Sequence, residues 1–245
     1  MGIRREELFE SLGSLRKGIL RIIGIIVLLG IILFPFSKTL LRHLHRSLQE
    51  DLVAFGIPEA FFSLLKLTLF SSLFLSVPVI FFYLWKAFSP LFQKRGLESS
   101  FLVPLTAILL FYAGAAFCYF ITLPFGIQFL MGYQSATIKP MISVAKYISF
   151  CVMFIFAFGL VFELPLILAL LSYIRVVNAS FLTRNRRYAI LIMAILSAIL
   201  TPTPDVFNMA LMGGPLYILF EIGVLLVKIV ERRRSADDGI SSSTR

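Results

Sequence analysis

Apolar residues along this chain come in long runs separated by short charged segments, and the runs set the element count. A helical crossing of a bilayer needs about 20 apolar residues. The first run is Ile19 to Phe36, entered through Arg21, and the second is Phe61 to Trp85, with Lys66 as its only charge. Ser99 to Ile138 holds 40 residues without a charge. That is too long for one crossing, and Pro124 followed by Gly126 predicts an exit near Leu123. The fourth run, Tyr147 to Tyr173, carries Glu163 inside it. The last, Tyr188 to Val227, is 40 residues long and is interrupted by Thr201-Pro202-Thr203-Pro204-Asp205, so it reads as a hairpin of two short spans. The pattern predicts an all-α integral membrane fold over residues 1–230, with six transmembrane helices and short fifth and sixth spans.

The flanking segments have patterns of their own. Leu8, Leu12, Leu15 and Ile19 recur at helical spacing, so the N-terminal arm is expected to be an amphipathic helix running into the first span. Leu40, Leu41, Leu44, Leu48 and Leu52 form an apolar stripe on an otherwise polar segment, predicting a helix lying flat at the interface. Residues 231–245 are polar and Ser-rich and are expected to be a disordered tail. Glu6, Glu7 and Glu10 precede the first run and no small-residue cleavage site follows it, which argues against a cleavable signal.

Composition agrees with this reading. The chain has 245 residues, 59% hydrophobic and 15% charged, against about 45–50% apolar and about 25% charged in soluble domains. Mean hydropathy is +0.93. A net charge of +10 could point to nucleic acid, but the basic residues do not gather in one patch. With the N-terminus inside, 17 of the 23 Lys and Arg fall on the cytoplasmic side. The positive-inside rule therefore predicts both termini in the cytoplasm, and no nucleic-acid partner is expected.

Against so apolar and basic a background the acids are the informative residues. Glu163 and Glu221 lie at similar depths in their predicted spans, and intramembrane acids usually face protein or water. Together they predict an intramembrane polar groove that binds a guest segment or a proton. Proton binding by Glu163 would fit a proton-coupled secondary transporter, although the first and last three spans show no clear repeat. Glu98 follows Lys94 and Arg95 in the loop between spans two and three. His43 and His45 stand two apart on a predicted helix and point away from each other, so no shared metal is expected. Cys118 and Cys151 read as small packing residues. No nucleophile elbow, metalloprotease motif or phosphate-cradling loop occurs, so neither an enzyme nor a cofactor is predicted.

Several stretches taken together resemble TatC, the receptor subunit of the twin-arginine protein translocase. Thr201 to Gly223 (TPTPDVFNMALMGGPLYILFEIG) is similar to that family's last turn and sixth span. Phe162-Glu163-Leu164-Pro165, Ser76-Val77-Pro78-Val79-Ile80 and Glu98 ahead of Phe101-Leu102-Val103-Pro104 also match. Leu15-Arg16-Lys17 fits the end of the family's N-terminal motif, and Tyr147-Ile148-Ser149-Phe150 opens span four in its manner. The likeness covers about residues 8 to 230.

The resemblance implies a receptor in a bacterial-type inner (cytoplasmic) membrane. Such a receptor binds signal peptides bearing paired arginines on folded cargo proteins. It assembles with small single-span subunits (TatA/TatB type), with self-association expected, and uses the proton-motive force. It also implies a signal-peptide site of Glu98, Glu10, Arg16, Lys94 and Phe88, and partner docking at Asp205, Asn208 and Met209. Three departures stand out. Ser14 occupies the place of an acid in the N-terminal motif, and Glu10, one helical turn earlier, is expected to substitute. Phe88 comes three residues after Trp85 rather than two, and the stretch from Pro90 to Glu98 is about two residues longer than expected. Met209 stands where the family often has Gln.

Overall fold

The computed structural model describes residues 5–45, 48, 51–89, 101–132, 141–200 and 206–243. In chain order the helices are α1 (Arg5–Leu33), α2 (Ser37–His45), α3 (Glu59–Phe88), α4 (Leu102–Phe117) and α5 (Leu123–Met131), followed by α6 (Val144–Val161), α7 (Leu164–Tyr173), α8 (Ala179–Arg184), α9 (Arg186–Leu200) and α10 (Val206–Ser243). Two short strands, β1 (Leu52–Val53) and β2 (Ile142–Ser143), pair in parallel. Five helical stretches among the described residues are long and apolar enough to cross a membrane: Gly18–His45, Glu59–Ala87, Leu102–Phe129, Val144–Tyr173 and Met212–Arg232. Lipid is the solvent for their outward faces, which present Ile31, Leu109, Phe120, Leu160 and Ile218. The protein is an all-α integral membrane protein.

The chain forms two compact units, one of residues 1–109 and 127–153, the other of 110–126 and 154–245. In the first, α1 runs without a break from the N-terminal arm into the first apolar run, as its spacing predicts. It packs on α3, whose Thr68, Ser72 and Ser76 are buried at four-residue steps. Their hydroxyls bond carbonyls of their own helix, those of Leu64, Leu69 and Ser72, so these three are satisfied within α3. Small side chains there let helices approach closely. Gly30 on α1 answers them, since a Cβ at that position would stand 3.8 Å from the Ser72 hydroxyl.

The leucine stripe after the first span behaves differently from the expected interfacial helix. α2 ends at His45, and Leu52 belongs to β1 rather than to the helix. Leu44 and Leu48 are buried, and Tyr147 donates its hydroxyl to the Leu44 carbonyl at 2.8 Å. Leu44 and Leu48 are covered by protein because the segment opening α6 packs against them, while Leu40, Leu41 and Leu52 are half-buried.

Two proline positions also differ from expectation. The predicted exit near Leu123 does not occur. A five-residue π-helical turn, Cys118–Thr122, joins α4 to α5, and the helix continues to Met131. Pro124 sits in the first turn of α5, where its missing N–H costs little, and the wide turn absorbs the change of register. In the fourth span Phe162 and Glu163 separate α6 from α7, because Pro165 cannot donate to the carbonyl of Val161.

In the second unit α10 packs along α7, α8 and α9. α9 has 15 residues, about 22 Å of helix against a hydrocarbon core of about 30 Å, and it is not among the five stretches long enough to cross a membrane. The apolar stretch of α10, Met212–Arg232, supplies 21 residues, longer than the short last span expected. α10 stays helical to Ser243, through residues expected to form a disordered tail. Glu231 also belongs to the folded body, its carboxylate accepting the Ala179 N–H at 2.9 Å and so capping α8.

Candidate functional site

Glu163 is the one buried charged residue among those described, with 6% of its surface exposed. The break in span four puts it immediately before α7, where its N–H bonds the Leu160 carbonyl at 3.1 Å and its carbonyl accepts from Ile167 at 2.9 Å. Its carboxyl Oε1 has no hydrogen-bond partner among the described residues. The neighbouring packing is aromatic, with Phe117 tilted against Phe158 and Phe162 at centroid distances of 6.1 and 5.6 Å. A carboxyl group held in such surroundings is costly, and inside a membrane span it marks a functional position by default.

Close backbone approach shapes this part of the unit. A Cβ on Gly114 would meet the Phe158 carbonyl at 2.7 Å and Phe162 at 2.6 Å, and one on Gly159 would meet the Phe111 ring at 2.6 Å. Gly114 of α4 therefore receives Phe162, just past the end of α6, and Gly159 of α6 receives Phe111 of α4. On the next side, a Cβ on Gly223 of α10 would fall 2.7 Å from Leu168 and 3.3 Å from the Pro165 Cα. α7, with Glu163 at its start, is thus seated directly on the α10 backbone.

Glu221 has different company. Arg186 at the start of α9 reaches it at 3.0 Å, and Tyr217 donates its hydroxyl to Oε1 at 2.8 Å. Gly223, which meets α7, is two residues away, about 200° round the helix. Glu221 consequently faces α9, and the face of α10 that carries Gly223 is given to α7.

In the first unit, Glu59 accepts the Phe55 N–H at 2.6 Å, the Ser143 hydroxyl at 2.5 Å and the Ala145 N–H at 3.4 Å. This ties the start of α3 to β2 and α6. Lys66 donates to the Ser149 hydroxyl at 2.7 Å. Sequence reasoning passed over Glu59, although an acid in the first turn of a helix is a recognisable N-terminal signal.

The remaining predicted positions are distributed as follows. Glu10 and Arg16 lie on α1 and Phe88 at the end of α3, as backbone positions only. Lys94, Glu98 and Asp205 lie outside the described residues. Asn208 is in the first turn of α10, and the Met209 carbonyl accepts the Ser197 hydroxyl of α9 at 2.6 Å.

The chain is similar to known proteins over most of its length. The family model for TatC, the Sec-independent protein translocase protein, matches residues 10–215. The TatC of Desulforapulum autotrophicum is 35% identical over 94% of this chain and 87% of its own length. That of Escherichia coli K12 is 33% identical over 89% of this chain and 87% of its own. A crystal structure of the twin-arginine translocase receptor TatC superposes with a TM-score of 0.76 at 31% identity, covering 89% of this chain and 99% of that one.

Proposed function

The chain belongs to the TatC family of Sec-independent protein translocase proteins, and from that premise we propose that it is the signal-peptide receptor of a twin-arginine export system. The observation that carries the reading is the family match across almost all the apolar runs. In its native membrane, the bacterial inner membrane, the chain crosses six times with both termini in the cytoplasm. α9, too short for a typical bilayer, then serves as the fifth span beside a locally thinned membrane, at fractions of a kcal/mol per Å of mismatch.

Glu98 accepts the paired arginines of the signal, for which a carboxylate offers bidentate, charge-assisted hydrogen bonds. Glu10 contributes a second carboxylate from α1, and Arg16, Lys94 and Phe88 border the site. Glu163 offers a polar point to the membrane-inserted part of the signal, and Glu221 stays paired with Arg186. Small single-span partners dock beside Asp205, Asn208 and Met209. An apolar groove of about 480 Å³ lined by Met193, Met209, Gly213 and Tyr217 supports that placement. A folded cargo cannot pass through one bundle of this size, so the partners supply the passage and the proton-motive force the work.

Site-specific crosslinking from residues 86–100 to a twin-arginine signal, compared with its Lys-Lys variant, tests the reading. Glu98→Ala is expected to abolish the adduct and Glu98→Asp to weaken it. Undiminished crosslinking in Glu98→Ala would overturn it.

A further inference from the structure

A second apolar groove in the same unit, framed by α7, α8, α9 and α10, has a volume of about 520 Å³, within the about 300–1,000 Å³ of ligand sites. Leu164, Leu168 and Phe220 line it together with Phe181, Tyr188 and Ile192, the last three being 60, 52 and 53% exposed. The groove therefore opens on the protein surface. Its polar contributors, Asn185 and Tyr188, sit at the junction of α8 and α9.

That junction holds three arginines in four residues, Arg184, Arg186 and Arg187. Arg186 is neutralised by Glu221. Arg187 lies over the Tyr188 ring, 4.9 Å from its centroid, which brings a guanidinium to the edge of the groove. Arg184 ends α8 immediately before Asn185. An apolar slot with an excess of arginine at one end matches a molecule with an aliphatic tail and an anionic head. We infer that this groove binds an anionic phospholipid, with an acyl chain along Leu168 and Ile192 and the phosphate held by Arg184 and Arg187. A signal segment led by arginines would be repelled by the same end, so the site is distinct from the receptor site proposed above.

The test titrates the full chain in detergent with phosphatidylglycerol or with phosphatidylcholine and follows its unfolding temperature. Phosphatidylglycerol is expected to raise it saturably and phosphatidylcholine to do so far less. Arg184→Gln and Arg187→Gln are each expected to raise about fivefold the phosphatidylglycerol concentration that gives half of this rise, the worth of one basic residue at an anionic surface. The paired control Lys38→Gln with Arg42→Gln on α2 should leave it unchanged. A photoreactive residue in place of Ile192, with the arginines intact, is expected to give lipid adducts in native membranes. Equal response to both lipids, equal loss in the α2 control, or adducts to a signal peptide or another protein in place of lipid would each overturn the inference.

Discussion

Gly114→Ala probes the contact that seats the aromatic residues preceding Glu163. A Cβ is fixed by the backbone and cannot rotate away, and here it would stand 2.7 Å from the Phe158 carbonyl, a backbone atom. Ordinary contact begins at 3.4 Å, so α4 and α6 must separate by about 0.7 Å or Phe162 must leave its place. Overpacking of this kind costs about 1–3 kcal/mol. Alanine is also a better helix former than glycine by about 0.8–1.0 kcal/mol, which would mask part of the loss in a single comparison. Gly214→Ala removes that ambiguity, because nothing lies within 4 Å of a Cβ there and the propensity gain is the same. The difference between the two variants is therefore the packing cost alone. At about 2–4 °C per kcal/mol for a chain of this size, Gly114→Ala should unfold at least about 2 °C below Gly214→Ala in one detergent. Identical unfolding temperatures would refute the close approach of α4 and α6.

Other expectations follow from single contacts. Arg175 adopts φ 68° just after α7, where its N–H and that of Val176 close the helix on the Ser172 and Leu171 carbonyls. Arg175→Gly should raise stability by about 1 kcal/mol, read from thermal unfolding, because glycine occupies that conformation without a Cβ penalty. A double-mutant cycle on Arg186→Gln and Glu221→Gln should give a coupling of about 0.2–1 kcal/mol, since both side chains are partly exposed; zero coupling would place the pair among inert surface contacts. Glu59→Ala should speed hydrogen exchange at the Phe55 and Ala145 amides without changing exchange in α10, whose contacts it does not share. Glu10→Ala should reduce crosslinking of a twin-arginine signal if Glu10 takes the place of the acid absent at Ser14. An unchanged adduct would reject that substitution.

The places where pattern reading and fold diverge share one cause. Pro124 with Gly126 looks like an exit, yet a π turn at Cys118–Thr122 carries the helix past it. The leucine stripe from Leu40 to Leu52 has the period of an interfacial helix, but a segment a hundred residues later covers part of it, through Tyr147 and Leu44. Local periodicity reports that a face is apolar. It does not report whether lipid or protein will meet that face. The candidate site was similarly half legible. Glu163 stood out because an acid in an apolar run is conspicuous, whereas the Arg186 partner of Glu221 is 35 residues away with no local mark.

The sequence by itself determined the solvent, the apolar runs and their approximate lengths, and the short list of acids to suspect. These are sums over neighbouring residues, and a bilayer acts on them directly. Only the tertiary structure decided which acid is enclosed and which is paired. Glu163 is buried where Pro165 interrupts the span, and Glu221 is turned toward α9 because Gly223 gives the opposite face of α10 to α7. Those outcomes depend on which helices approach closely enough to exclude a side chain. Residues far apart in the chain set that approach together.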